Sequence, residues 1–475
     1  GYAKAQKRHR QRGINKMNER IAKLADEYFA REDIRAQAAE DLKSIVRVPS
    51  VAAESDGKYP YGAECARALD TAASLAEKYG FRVENHEYHC LSVLYGDSDR
   101  EVGIVAHLDV VPAGDGWSCE PYDVTERDGL FIGRGTHDDK GPFIQSLYTL
   151  RFFRENGIKL PFTLRLILGS DEEVGSTDLE YFVTVRKPPM FSFTPDSEFP
   201  VCIGEKGILG LEVDYGKAPE GFTISGGTVS NAVAGTAQAV VKTEKALPEA
   251  ENITLEKVCG GVKITATGKT AHAAMPEAGV NAINLLVSYL SENGLVSGEA
   301  FELIRRSTGE YLGETLGIAA TDADFGYLTC VGGVISVRGG HIIQSYNIRY
   351  IPTTPYEDIA AAVERTVAPC GGSVSVVSQS DGYHVSAEDK KIKALTDACE
   401  SVLGIRCEPY TMGGGTYARW LPNTVAFGSG IDAHRHYLGA ERGNAHQRDE
   451  YIAAEEFFAG MNIYSRAIGN LSDIL

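Results

Sequence analysis

Two nearly unbroken apolar runs, Val102–Val111 (VGIVAHLDVV) and Phe162–Leu168 (FTLRLIL), constrain this chain more than any other feature. Such runs suit strands covered on both faces, because a strand open to water on one side alternates polar with apolar residues. Between them Phe143, Leu147, Leu150 and Phe153 recur at helical spacing and stop near Gly157. Upstream, Gly62 to Gly80 carries the same rhythm in Cys65, Leu69, Ala72, Ala73 and Ala76, with Gly80 as a C-terminal stop. This alternation predicts an α/β domain with a mixed, largely parallel sheet and helices on both faces.

A chain of 475 residues exceeds what one core organises, so more than one domain is expected. The character changes after Gly207. Strands such as Val262–Thr267 and helices such as Ala282–Leu290 follow, and then a similar passage: Tyr346–Tyr350, with Thr354 and Pro355 read as the cap and first-turn proline of a helix through Val363. Residues 207–381 therefore read as an inserted α+β domain of two related halves. The helix Asp389–Leu403 and strand Asn423–Gly428 return to the first domain, which spans 17–206 and 382–475.

The formal charge of -18 disfavours a nucleic-acid partner. No run approaches the roughly 20 apolar residues of a membrane span, and the start lacks the apolar core of a secretory signal. Nine cysteines without a C-x-x-C pair fit reduced thiols, so a cytoplasmic location is expected. Residues 4–12 (KAQKRHRQR) are strongly basic, and an amphipathic pattern begins only at Met17. Residues 1–16 are read as an upstream extension outside the fold, with Gly1 a cloning scar.

The chemistry lies in where acids and histidines fall. His107 and Asp109 form an H-x-D at the first apolar run, and Asp138 and Asp139 follow in GRGTHDDKGP before a helix. Glu172 and Glu173 follow the second run in GSDEEVGS; Asp196 lies in TPDSEFP and His446 in AHQRDE. In open α/β sheets the working site gathers at the carboxyl ends of strands, where several of these groups fall. Each alone has a bland explanation: an accidental H-x-D, a solvated acidic loop, acids at a helix N-terminus. Together, two histidines and several carboxylates in glycine-rich loops suit two divalent ions about 3.5–4 Å apart.

In order along the chain, HLDVVPAGDGW, GRGTHDDKGP, GSDEEVGSTDLEYF, PDSEFP, GKTAHAAMPEAGVNA, GGGTYAR and HQRDEY resemble the signatures of the PepV-type dipeptidases. These belong to a zinc metallopeptidase family that also holds carboxypeptidases, aminoacylases and succinyl-diaminopimelate desuccinylase. The resemblance runs from about residue 20 to the C-terminus. It implies that His107 and Asp196 hold one metal, Glu173 and His446 the other, and that Asp138 bridges both. Asp109 would orient the His107 ring, and a cis peptide would join Asp138 to Asp139. Glu172 would be the general base and His272, in GKTAHAAMP, would stabilise the oxyanion. Arg349 would hold the substrate's C-terminal carboxylate, and Asn231 would reach toward the substrate from the same lid; the Gly413–Gly415 loop with Thr416, Tyr417 and Arg419 offers backbone N–H groups for that carboxylate. His137 gains no role, and His434 and His436 read as exposed loop histidines.

The cofactors implied are two divalent ions, zinc first, with manganese or cobalt also suited to a carboxylate-rich site. The inserted domain would act as a lid whose closure selects short peptides, and its doubled form implies a catalytically complete monomer, weaker dimers remaining open. Two other functions stay in view: an N-acyl amino acid deacylase or desuccinylase using the same metals, and a catalytically silent binding protein. Against the last, Glu172 and all five proposed ligands are present.

Overall fold

The computed structural model describes residues 18–431, 437–439 and 442–475. The basic extension, with Met17, lies outside the described residues, as do His434 and His436. The chain divides into two compact units. The first takes in the described residues up to Ile203, Val385–Tyr410 and Thr416–Leu475; the second is Gly204–His384 with Thr411–Gly415. Residues 411–415, placed with the first domain from sequence, thus cluster with the second.

The sheet of the first unit runs in the order Arg82–His86, Cys90–Tyr95, Thr163–Gly169, Glu101–His107, Phe191–Thr194 and Thr424–Ala426, after which Ala426 pairs with Cys202. The four strands from Thr163–Gly169 to Thr424–Ala426 are parallel neighbours, and the two at the Arg82 edge run antiparallel. Val102, Ile104, Val105 and Ala106, like Leu164, Leu166, Ile167 and Leu168, are wholly buried and include neighbours that point to opposite faces, so both faces of these strands are covered. Val105 and Ile167 pack with Leu179, Phe182, Tyr417 and Leu421. The helix Lys140–Glu155 is buried all round from Lys140 to Phe153, as a helix between other layers must be.

Strand ends differ from the sequence expectation in one instructive place. The first apolar run continues to Val111, yet the strand stops at His107. Leu108 and Val110 remain buried in the following loop, with the Leu108 N–H donating to the Gly169 carbonyl at 2.9 Å. Apolar continuity therefore marks burial here, not strand length. Gly80 has φ +76 just beyond the Ala63–Lys78 helix, the left-handed stop expected of it.

The second unit is built on one antiparallel sheet in the order Ile253–Val258, Gly261–Thr267, Thr236–Val241, Thr223–Gly226, Thr329–Arg338, His341–Tyr350, Gly207–Lys217 and Ser373–Ser380. Its two halves meet where Ser225 and Gly226 pair with Ser336 and Ile335. The helix Ala282–Glu292 buries Ile283, Leu286, Val287 and Leu290 in the same core that receives Ile359, Val363 and Val367 of Tyr356–Val367. Pro355 itself occupies the N-cap position of that second helix, and no side chain caps it. Thr354 therefore does not play the capping part its sequence position suggested.

Candidate metal centre

His107 is the last residue of its strand, wholly buried, with Nδ1 3.0 Å from the Asp109 carbonyl oxygen and 3.3 Å from Asp109 Oδ1. A ring held through Nδ1 presents Nε2 outward. The Asp109 carboxylate does more than orient this ring. It accepts the N–H groups of Glu172 and Glu173 at 3.2 and 3.0 Å, tying the loop after the neighbouring strand to the His107 segment.

Asp138 and Asp139 precede the Lys140–Glu155 helix and are joined by a cis peptide. Asp139 stands at the N-cap position without capping; its Oδ2 accepts the His107 N–H at 3.1 Å instead. The loop fits closely: a Cβ on Gly141 would lie 1.9 Å from the Thr136 carbonyl oxygen.

These segments converge on Asp138. Its Oδ1 lies 2.9 Å from His107 Nε2 and its Oδ2 lies 3.1 Å from His446 Nε2. His446 Nε2 is also 3.0 Å from Glu173 Oε1, and His107 Nε2 is 3.7 Å from Asp196 Oδ2. Ligand-type atoms of His107, Glu172 and Asp196, and likewise of His107, Asp138 and Glu173, lie within 4.8 Å of one another. The structure thus brings together Glu172 and all five residues expected to hold metal.

The electrostatics match the donor set. Burial pushes the Glu172 carboxyl well above the carboxylate range; attraction to His107 opposes this, and repulsion from Glu173, Asp138 and Asp109 reinforces it. Asp196 is raised by burial and then by Asp138 and Asp139, and Glu173 by burial and Asp138. For the histidines burial acts downward but is outweighed: Asp109 and Asp138 raise His107, while Asp138 and Glu173 raise His446 to about 11. Asp138 moves the other way, its burial overcome by the two histidines. His107 Nε2 and Asp138 Oδ1 are both buried without a hydrogen-bond partner of proper alignment. Surplus negative charge and convergent, unsatisfied donor atoms are what divalent cations would satisfy, so the residues fit such ions.

Sequence reasoning passed over one supporting pair. Asp178 accepts the N–H groups of Ser170 and Asp171 at 2.6 and 3.0 Å, and the Tyr417 hydroxyl donates to the same carboxylate. Both residues lie inside quoted motifs, but only their contact reveals the link between GSDEEVGSTD and GGGTYAR.

The remaining expected residues belong to the second unit, except Thr416, Tyr417 and Arg419. His272 is exposed on a turn, bridges to Ala232, and accepts the Ala274 N–H on Nδ1 at 3.2 Å, which leaves Nε2 to carry the proton of the neutral ring. Asn231 is its neighbour, its carbonyl accepting the Ala273 N–H at 2.9 Å. Arg349 is buried; Nε donates to Asn347 Oδ1 at 2.8 Å and Nη1 to the Gly413 carbonyl at 3.2 Å, so it sits against the loop that holds Gly415. In the first unit, Thr416 accepts the Ala418 N–H on its hydroxyl at 3.1 Å.

A histidine-and-carboxylate centre at the ends of parallel strands, in a chain with an inserted α+β unit, has the chemistry a metal-dependent hydrolase needs. Residues 103–470 match the family described as Peptidase family M20/M25/M40, and the chain belongs to that family. "Putative dipeptidase SH1171" of Staphylococcus haemolyticus is 28% identical over 468 residues, covering 93% of this chain and 98% of that one. "Putative dipeptidase YtjP" of Bacillus subtilis is 29% identical over 459 residues, covering 91% and 96%. Among solved structures, human carnosine dipeptidase 1 aligns with a TM-score of 0.58 at 17% identity, covering 96% of this chain and 99% of that one. The dipeptidase Dug1p of Saccharomyces cerevisiae gives the same TM-score at 12% identity, covering 96% and 98%. These two likenesses concern the fold. The protein is a metallopeptidase with the two-domain M20 architecture, and among the described residues no helix is long and apolar enough to cross a membrane.

Proposed function

We propose that the protein is a dipeptidase that hydrolyses short, unblocked peptides at a centre of two divalent ions. The observation that carries the reading is Asp138, whose two oxygens face His107 on one side and His446 on the other. In this reading His107 and Asp196 would hold one ion, Glu173 and His446 the second, and Asp138 would contribute to both. When bound, such ions supply Lewis acidity and lower the pKa of water toward neutrality.

Glu172 is the proposed general base. Its carboxyl is raised by burial, as suits a group that must take a proton from the attacking water and return it to the departing amine. Asp109 holds the Glu172 main chain through its N–H, so base and ligands are fixed by one carboxylate. His272, with its proton on Nε2, is the proposed donor to the carbonyl oxygen as negative charge develops there. Arg349, steadied by Asn347 and Gly413, is the proposed partner of the substrate carboxylate, with Asn231, Gly415 and Thr416 assisting. One chain carries the full set, so a monomer is proposed to be active.

The reading is supported by the names of the full-length relatives and tested by a substrate panel. Metal-reconstituted protein should cleave dipeptides, spare tripeptides, and lose activity to a chelator. Cleavage of N-acetyl or N-succinyl amino acids alone would make it a deacylase. Activity confined to a dimer on a sizing column would refute the monomer proposal.

A further inference from the structure

One buried carboxylate holds the loop that carries Asp138. Glu450 Oε1 accepts the N–H groups of Gly135, His137 and Asp138, each at 3.0 Å, and Oε2 accepts Arg134 Nη1 at 2.6 Å. The Glu450 carbonyl accepts the Gly133 N–H at 2.8 Å and the Thr136 hydroxyl at 3.3 Å. Arg134 Nη2 reaches the carbonyls of Pro112, Ala113 and His446 at 3.4, 3.3 and 3.4 Å, and the Trp117 ring lies 5.1 Å from the guanidinium carbon. Both charged side chains are 1% exposed.

The pair therefore touches three segments at once: the loop after His107 and Asp109, the Asp138 loop, and the turn bearing His446. Glu450 is not available as a metal ligand, since backbone donors and a guanidinium engage both of its oxygens. A buried ion pair is also a poor source of net stability, because desolvation cancels much of the attraction and apolar side chains often do as well. What the pair supplies is register: three N–H groups and a fork admit one placement of the loop.

We propose that Glu450, acting with Arg134, is a positioning residue that sets Asp138 and His446 in the mutual register needed to hold both ions. The proposal rests on the reading of Asp138 and His446 as ligands, so its test must separate the two. Zn²⁺ affinity by chelator competition and the visible spectrum of the Co²⁺-substituted protein are to be measured on the full chain, for the native protein, Asp138→Ala, Glu450→Gln and Arg134→Lys. Asp138→Ala tests the ligand reading: binding of the full native complement of Zn²⁺ would overturn that reading and the proposal with it.

Glu450→Gln should stay able to bind Zn²⁺ but about 10–100-fold more weakly, the loss typical when a partner behind a ligand is removed, with an altered Co²⁺ spectrum. Its kcat should fall while KM holds. A folded Glu450→Gln protein with native affinity and spectrum would overturn the proposal while leaving the ligands intact. Should that variant not fold, Arg134→Lys decides: lysine lacks the fork that joins Glu450 to the His446 carbonyl. A several-fold loss of Zn²⁺ affinity with a shifted spectrum is expected, and unchanged values would refute the register role.

Discussion

Asp109→Asn replaces one buried carboxylate by a side chain of the same shape. In the native protein Oδ1 accepts the Glu172 N–H at 3.2 Å and Oδ2 accepts the Glu173 N–H at 3.0 Å, while Oδ1 also lies 3.3 Å from His107 Nδ1. Asparagine offers one acceptor and one donor, so whichever way the amide turns, one N–H faces an NH₂ group. A hydrogen bond to a charged group contributes about 1.5–3 kcal/mol, and a buried donor left unsatisfied costs about 1–3 kcal/mol. The variant should therefore lose about 2–4 kcal/mol of unfolding free energy. It should also bind metal about 10–100-fold more weakly, because one of the two glutamates loses its anchor behind the ligands. Urea denaturation of chelator-treated protein reads the first quantity, and chelator competition the second. A stability change below about 0.5 kcal/mol together with native metal affinity would show that Asp109 does not hold this loop.

Three further outcomes are expected. In the metal-free protein His446 is protonated well above its unfolded range, near 6.5, because Asp138 and Glu173 outweigh burial and raise it to about 11. Its contribution to stability is fully present below about pH 6.5 and is lost as pH rises toward 11. Metal binding needs the neutral ring and so releases protons. The gain in melting temperature on adding metal should thus grow with pH, and a gain that shrinks from pH 6.5 to 9 would contradict the assignment. Gly141→Ala places a Cβ 1.9 Å from the Thr136 carbonyl and should destabilise by about 1–3 kcal/mol, although alanine's helix propensity alone would favour it by about 1 kcal/mol; a more stable variant in thermal melts would refute the close fit. Arg349→Lys loses the fork to Asn347 and Gly413 and should raise KM for dipeptides at least about 10-fold with a smaller change in kcat, so an unchanged KM would remove Arg349 from substrate binding.

Much of the fold was legible because burial on both faces leaves a continuous apolar signal, as in VGIVAHLDVV, and helices announce themselves by period and glycine stops. The same signal misplaced the end of the strand, since Leu108 and Val110 are buried in a loop and carry no mark of having left the sheet. The acids and histidines of the centre could be named from their motifs, because each motif is local. What holds them is not local: Tyr417 reaches Asp178 across 239 residues and Glu450 reaches Arg134 across 316. No spacing rule relates such pairs, and only the sheet's folding brings them together. Thr354 failed as a cap for a smaller reason: Pro355, whose φ is fixed, took the capping position at an extended ψ of 133°.

The measurement that bears most directly on the account is turnover and bound metal in Glu172→Gln beside the native protein, each loaded with Zn²⁺ and assayed on a dipeptide. The account predicts the same two ions per chain in both proteins and a loss of kcat of about 10²–10⁴-fold in the variant, the range a general base contributes. Native turnover in Glu172→Gln, or dipeptide cleavage by the native protein that survives removal of its metal, would contradict it.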